Sequence, residues 1–118
     1  MTTNVDRWRA LARSFHSALE LDVALGGTLM PDAIRTAVQD GTVKQLGMWE
    51  PACLQVFAFL FEVWTGRHDE SGVLPRFNLF EALREWDDEH LAAWQHWACG
   101  GRGGLPPGSL TTMPPERF

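Results

Sequence analysis

Asp87 and His90 are the two residues of this chain whose chemical types and spacing best suit a reaction or a binding site. They stand three positions apart, and residues with this spacing can touch along an α-helix. A carboxylate beside an imidazole stabilises the imidazolium ion and can orient the ring for proton transfer or for binding. The pair therefore predicts either an acid/base or ligand site, or a buried polar pair with a structural role.

Other residues with reactive or metal-ligating side chains do not complete such a site in the sequence. Cys53 is flanked by apolar residues, which raise the pKa of a thiol, and Cys99 ends a predicted helix, where the dipole disfavours a thiolate. His68, His96 and Cys99 show neither a paired CxxC nor an HExxH spacing, and His16 has no evident partner. We therefore expect no catalytic residues, no bound metal and no cofactor.

The segment 78–99, NLFEALREWDDEHLAAWQHWAC, predicts one amphipathic helix. Asn78 followed by Glu81 matches a capping box in outline, and Gly100 is a typical residue just beyond a helix. The predicted apolar arc contains Leu79, Phe80, Leu83, Trp86, Leu91, Trp94, Trp97 and Ala98, with Asp87 and His90 inside it. The opposite face of this helix carries carboxylates.

Two stretches before the centre of the chain also have helical patterns. Residues 4–25 place apolar side chains at helical spacing and end at a pair of glycines. A second helix follows Pro31 and stops at Gly41. Residues 42–49 are ambiguous between a loop, a helical turn and a short strand, because Gly47 weakens each of these interpretations.

The most apolar stretch is 51–64, which predicts a central core helix with proline at its first position. Gln55 and Glu62 lie seven residues apart and fall on one stripe of it. The stretch is shorter than the roughly 20 apolar residues of a membrane span, and the N-terminus does not resemble an export signal. Two cysteines are too few for a disulfide framework, so we expect free thiols and a cytoplasmic protein.

Together these segments predict an all-α fold, a small bundle of three to four helices around the central apolar helix. The length of 118 residues suits one domain, which we assign to residues 1–99. Residues 100–118 contain five glycines and four prolines without a hydrophobic period. This composition predicts an extended or disordered tail.

Negative charge is concentrated in one part of the chain. Residues 50–99 hold nine acidic side chains against three arginines, a balance of −6, whereas the acids and bases of residues 1–49 cancel. This distribution argues against direct binding of nucleic acid, which needs Lys and Arg to neutralise phosphates. An acidic surface would instead attract a protein partner with a basic surface.

The sequence thus predicts a non-catalytic protein-interaction module. The predicted contact residues are Glu81, Glu85, Asp88, Glu89, Asp69, Glu70 and Trp97. Two alternatives stay open for these side chains, since carboxylates can serve solubility alone and the aromatic face could pair with a second copy in a homodimer. The alternative function is a small enzyme or ligand-binding domain that uses Asp87 and His90.

In size, acidity, helical content and lack of catalytic motifs, the chain is similar in kind to proteins that phages and mobile elements use to block nucleic-acid enzymes. Anti-CRISPR proteins belong to this class. The likeness is one of general character and covers no alignable residues. It implies that the basic partner would be a nucleic-acid enzyme and that the chain would inhibit it.

Overall fold

The computed structural model describes residues 3–101, which form seven α-helices and one π-helical segment and contain no strand. The elements are α1 (Asn4–Arg13), α2 (His16–Ala24), α3 (Pro31–Gln39), α4 (Thr42–Gln45), α5 (Pro51–Thr65), α6 (Leu79–Glu85), α7 (Asp88–His96) and the π-helical segment Trp97–Gly101. The all-α class is confirmed. A bundle of three to four helices is not, because both long predicted helices are broken in two and α4 is added. Most of the predicted tail, 102–118, lies outside the described residues.

Helix α5 is the central element, as the sequence predicts, and α1, α2, α3 and α6 all pack against it. Pro51 occupies its first turn, and Gly66 ends it in the left-handed conformation at φ 78°. The indole nitrogen of Trp8 in α1 donates to the carbonyl oxygen of Leu60 at 2.9 Å, which ties the first helix to the centre. Within residues 3–101, no helix combines the length and apolar character that a membrane span requires.

The predicted helix over 4–25 is wrong in one respect, since the chain breaks at Ser14 and Phe15. Phe15 is extended at ψ 119° and fully buried. The break lets α1 fold back on α2, so that Asp22 lies 3.6 Å from Arg9 and 3.4 Å from Arg13. In one straight helix Arg13 and Asp22 would be about 13 Å apart along the axis. Burial of Phe15 and these ion pairs therefore favour the broken form.

The predicted helix over 78–99 is also broken, between α6 and α7. Trp86 takes an extended conformation at ψ 141°, and its indole nitrogen donates to the carbonyl oxygen of Ala52 at 2.9 Å. Asp87 then begins a new helix as its N-cap. After His96 the chain continues as the π-helical segment through Gly100, the predicted terminator. The break is what places Asp87 and His90 at the start of a helix rather than in the middle of one.

The polar stripe on α5 holds the extended connection that leads into α6. Gln55 donates to the carbonyl oxygen of Arg76 at 3.2 Å and accepts from the amide of Asn78 at 2.7 Å. Glu62 accepts from the amide of Phe77 at 2.6 Å. These two buried or half-buried side chains satisfy backbone groups of a segment without regular structure, as buried polar groups require.

Candidate functional site

Asp87 and His90 do meet, and the contact depends on the cap of α7. The Oδ1 atom of Asp87 accepts from the backbone amide of His90 at 2.9 Å. The same oxygen lies 2.8 Å from Nδ1 of the His90 ring. The two side chains therefore lie in contact, while the carboxyl group of Asp87 is more than half exposed rather than inside an apolar arc.

The imidazole of His90 is fixed on several sides. It is 3% exposed, and its ring lies 6.1 Å from the rings of both Phe15 and Trp86 in stacked orientations. Its Nε2 atom is 2.8 Å from the hydroxyl oxygen of Ser17, which also accepts from the thiol of Cys53 at 3.5 Å. Aromatic packing and the Ser17 hydrogen bond together hold the ring in one orientation.

The Nδ1 atom of His90 is buried and makes no hydrogen bond of good geometry with the described residues. The 2.8 Å contact with Asp87 is within ion-pair range, but the carboxylate oxygen does not lie in the direction that a hydrogen bond from this nitrogen needs. Leaving a buried polar atom unpaired destabilises a fold by roughly 1–3 kcal/mol. Such an atom calls for an explanation, and a missing ligand is one.

His16 completes the cluster, although the sequence shows no partner for it. From the first turn of α2, its Nε2 atom lies 3.2 Å from Oδ2 of Asp87 and 3.9 Å from a carboxylate oxygen of Glu89. Its ring centre is 4.1 Å from that of His90. The sequence shows no partner for the half-exposed His16, and the structure supplies Asp87 and Glu89. We call His16, Asp87 and His90 the His–Asp–His cluster.

The charges of the cluster follow from its surroundings. The backbone hydrogen bond from His90 lowers the pKa of the Asp87 carboxyl group, and the two histidines lower it further. Burial lowers the pKa of His90, nearby His16 lowers it further, and the opposing effect of Asp87 is smaller. These shifts favour the carboxylate form of Asp87 and the neutral form of the His90 imidazole, in which one ring nitrogen carries a proton and the other a lone pair.

Two of the predicted partner-binding residues are not on the surface. Asp69 is 5% exposed and Trp97 is 8% exposed. Asp69 accepts hydrogen bonds from Ser71 and from the amide of Leu74 at 3.0 Å, so its role is to hold the connection before α6. Of the other predicted residues, Glu85, Asp88, Glu89 and Glu70 are exposed and Glu81 is half-buried.

Helix α6 exposes two large apolar side chains that were predicted to face the core. Phe80 is 83% exposed and Leu83 is 46% exposed. The break at Trp86 explains this, because α6 packs on α5 through Ala82 and directs the opposite side of the helix outward. Phe80 and Leu83 are three apart and therefore adjacent on that outward side.

The two cysteines are free, as predicted. Cys53 is half-buried, and burial raises the pKa of its thiol despite the opposing hydrogen bond to Ser17. Cys99 is exposed.

A separate apolar pocket of about 280 Å³ lies between α5 and α7, with Phe59, Phe77 and Trp94 in its wall. Burial raises the pKa of Glu62, which also lines this pocket and has the Phe77 amide as its partner.

Compared with protein-family models, curated proteins and solved structures, the chain has no significant match.

Proposed function

We propose that this protein is a non-catalytic interaction module that binds a basic partner protein through the outward side of α6 and the first turn of α7. The observation that carries the proposal is Phe80, which is 83% exposed on α6, a helix that also carries the exposed carboxylate of Glu85. An aromatic side chain surrounded by polar groups is the usual form of an interface anchor. We call Phe80, Leu83, Glu85, Asp88 and Glu89 the acidic aromatic patch.

The charges of the patch are mostly uncompensated. Glu85 has a single ion pair, at 3.6 Å with its exposed neighbour Arg84. Glu89 lies 3.9 Å from His16 and is 80% exposed. Exposed carboxylates that keep their charge raise the rate of encounter with a basic surface and contribute to its choice over other surfaces.

The test of the patch is a charge reversal with a matched control. The variant Glu85→Lys, Asp88→Lys, Glu89→Lys should weaken binding of a partner captured with the wild-type chain by at least about a hundredfold, since the patch then repels a basic surface. The control variant Glu20→Lys, Asp32→Lys, Glu50→Lys changes the total charge equally at exposed positions outside the patch. Equal affinities of the two triple variants, measured by calorimetry, would contradict the proposal.

The variant Phe80→Ser tests the contribution of the aromatic side chain to partner affinity separately from that of the carboxylates. Because Phe80 is exposed, its exchange should leave the free energy of unfolding almost unchanged, whereas loss of an aromatic anchor weakens an interface by about 2 kcal/mol or more. The control is Val23→Ser, which exchanges a 69% exposed apolar side chain on α2. Normal affinity of the Phe80 variant would remove this residue from the interface.

A nucleic-acid enzyme is the partner class that best fits an acidic patch. Such an enzyme has a basic groove for phosphates, and an acidic protein can compete for it. The proposal in its sharpest form is an inhibitor of the anti-CRISPR kind. It predicts that the captured enzyme loses its nucleic acid when the wild-type chain is added and keeps it when the charge-reversed variant is added.

A second candidate function, a ligand-binding domain on Asp87 and His90, is favoured by the unpaired Nδ1 atom of His90. A ligand that contacts this nitrogen should shift the NMR signals of the His90 ring. The same ligands should leave the ring signals of His96, an exposed histidine at the end of α7, in place. If no ligand of any class moves the His90 signals, this second function fails, and the interaction module is unaffected.

A further inference from the structure

The His–Asp–His cluster offers donor atoms that divalent transition metals prefer. One ligand-type atom from each of His16, Asp87 and His90 lies within 4.8 Å of the other two. Two imidazole nitrogens and one carboxylate oxygen are the donor set of many zinc and iron(II) sites in proteins. The residues come from two helices that the fold brings together across 71 positions of sequence.

The donor atoms are already close to the spacing that a metal imposes. Zn²⁺ binds nitrogen and carboxylate oxygen at roughly 2.0–2.2 Å, so two of its tetrahedral ligands are about 3.3 Å apart. His16 Nε2 and Asp87 Oδ2 are 3.2 Å apart. The Nδ1 atom of His90 is 2.8 Å from the other oxygen of Asp87. Closure around an ion thus requires the three donor atoms, which lie within 4.8 Å of one another, to approach to about 3.3 Å, and the half-exposed His16 side chain has room to move.

The Nδ1 atom of His90 also points to a ligand at this cluster. It belongs to a side chain that is 3% exposed, it makes no hydrogen bond of good geometry with the described residues, and it faces the cluster at ion-pair distance from Asp87. A metal can bind Nδ1 in the tautomer that donates through Nε2 to the Ser17 hydroxyl, because that tautomer has its lone pair on Nδ1. Metal-binding histidines commonly show this arrangement, in which a hydrogen bond at the far nitrogen selects the tautomer and fixes the ring.

The cluster and the neighbouring Glu89 together favour a cation, and the cluster is open to solvent. The Asp87 side chain is 57% exposed, that of His16 is 43% exposed, and the carboxylate of Glu89 lies 3.9 Å from His16. Asp87 can bind a metal through Oδ2 while Oδ1 continues to cap α7. Three protein ligands with solvent at the remaining position are typical of zinc sites that bind a water molecule or a further ligand.

We propose that His16, Asp87 and His90 bind a divalent transition-metal ion, with Zn²⁺ as the best-fitting ion, through Nε2, Oδ2 and Nδ1 respectively. On binding, the proton that His16 Nε2 donates to Asp87 in the metal-free protein is released to solvent, and the metal-bound ring carries its proton on Nδ1. The inference rests on the second candidate function, since it names the ligand of that site. It is independent of the acidic aromatic patch, apart from the nearby carboxylate of Glu89.

The experiment uses a tag-free preparation of the full chain, titrated with Co²⁺ and Zn²⁺. We expect one ion per chain, visible Co²⁺ absorption bands that Zn²⁺ removes, and at least tenfold weaker binding of both ions by His16→Gln and by Asp87→Asn. The control His96→Gln, at an exposed position of α7, should bind as the wild type does. His90→Gln should also bind at least tenfold more weakly. If that variant does not fold, His16→Gln carries the test, because its side chain is half-exposed.

Ser17→Ala tests the orienting hydrogen bond. Loss of a residue that orients a metal ligand typically weakens metal binding 10- to 100-fold, so we expect a fall of that size with the number of ions unchanged. Equal Zn²⁺ affinity of wild type, His16→Gln and Asp87→Asn would overturn the inference. In that case, NMR shifts of His90 with organic ligands would still support the second candidate function. If these shifts are absent as well, both the metal site and the second candidate function are contradicted. Phe80→Ser should bind Zn²⁺ normally, which keeps metal binding separate from the partner interface.

Discussion

Asp69 and Asp87 are both carboxylates placed at turns before a helix or loop, yet their surroundings differ in one decisive way. Both oxygens of Asp69 are occupied, Oδ1 by Ser71 and by Arg35 at 3.5 Å, and Oδ2 by the Leu74 amide at 3.0 Å. The cluster around Asp87 contains a buried nitrogen of His90 that makes no hydrogen bond of good geometry with the described residues. Asp69 is almost fully buried, whereas the Asp87 side chain reaches solvent.

The difference separates a structural polar cluster from a candidate binding site. A buried carboxylate whose lone pairs are all used by the chain's own donors stabilises the fold and has no capacity left for a ligand. A cluster with a free donor atom, solvent access and a fixed ring has that capacity. A histidine near an aspartate in the sequence does not distinguish a binding site from a structural cluster, because Asp69 also follows a histidine, His68.

The largest expected effect is that of Asp69→Asn on stability. The amide group of asparagine would place N–H donors against the amides of Ser71 or Leu74, which leaves buried groups unpaired. We expect the free energy of unfolding to fall by about 2–3 kcal/mol in urea denaturation. A change below roughly 0.5 kcal/mol would show that Asp69 is not the structural counterpart of Asp87.

The pH dependence of stability sharpens the same comparison. Burial raises the pKa of Asp69, but the hydrogen bonds from Ser71 and Leu74 outweigh it and lower the pKa to about 2. A carboxyl group with a lowered pKa in the folded state contributes stability above its ordinary value of 3.8, and this contribution is lost as the pH falls from about 4 to 2. We expect a loss on the order of 1–2 kcal/mol in the wild type that Asp69→Asn does not show.

Asp87→Asn should have the smallest effect on stability in the metal-free protein. Asparagine is as good an N-cap as aspartate, and its side-chain oxygen can accept from the His90 amide as Asp87 Oδ1 does. We expect the free energy of unfolding to change by less than about 1 kcal/mol, measured in the same denaturant. A loss as large as that of Asp69→Asn would mean that Asp87 is structural too.

The sequence predicts local features of this protein well and long-range ones poorly. Pro51 and Gly66 bound α5 as expected, and Gln55 and Glu62 share a stripe, because these features depend only on nearby residues. The start of α7 also has a local signal, an aspartate followed by Asp88 and Glu89 in the first turn, which outranks the continuous apolar pattern of the segment.

The tertiary contacts of the candidate site have no such signal. His16 approaches Asp87 only because α1 and α2 separate at Phe15 and α2 then packs beside the start of α7. Exposure of Phe80 likewise depends on where α6 ends, at the buried Trp86, and burial of Asp69 depends on its contacts with Ser71, Leu74 and Arg35. Periodicity assigned Phe80 and Leu83 to the apolar face of one long helix, 78–99, that does not form.

Thermal unfolding with and without Zn²⁺ tests most directly whether the His–Asp–His cluster is a binding site and the Asp69 cluster is not. Because an ion that binds only the folded state stabilises it, Zn²⁺ should raise the Tm of the wild type and of Asp69→Asn by the same amount. Asp87→Asn, with nearly wild-type stability in the absence of metal, should show no increase. An equal increase for Asp87→Asn, or no increase for the wild type at saturating Zn²⁺, would contradict the account.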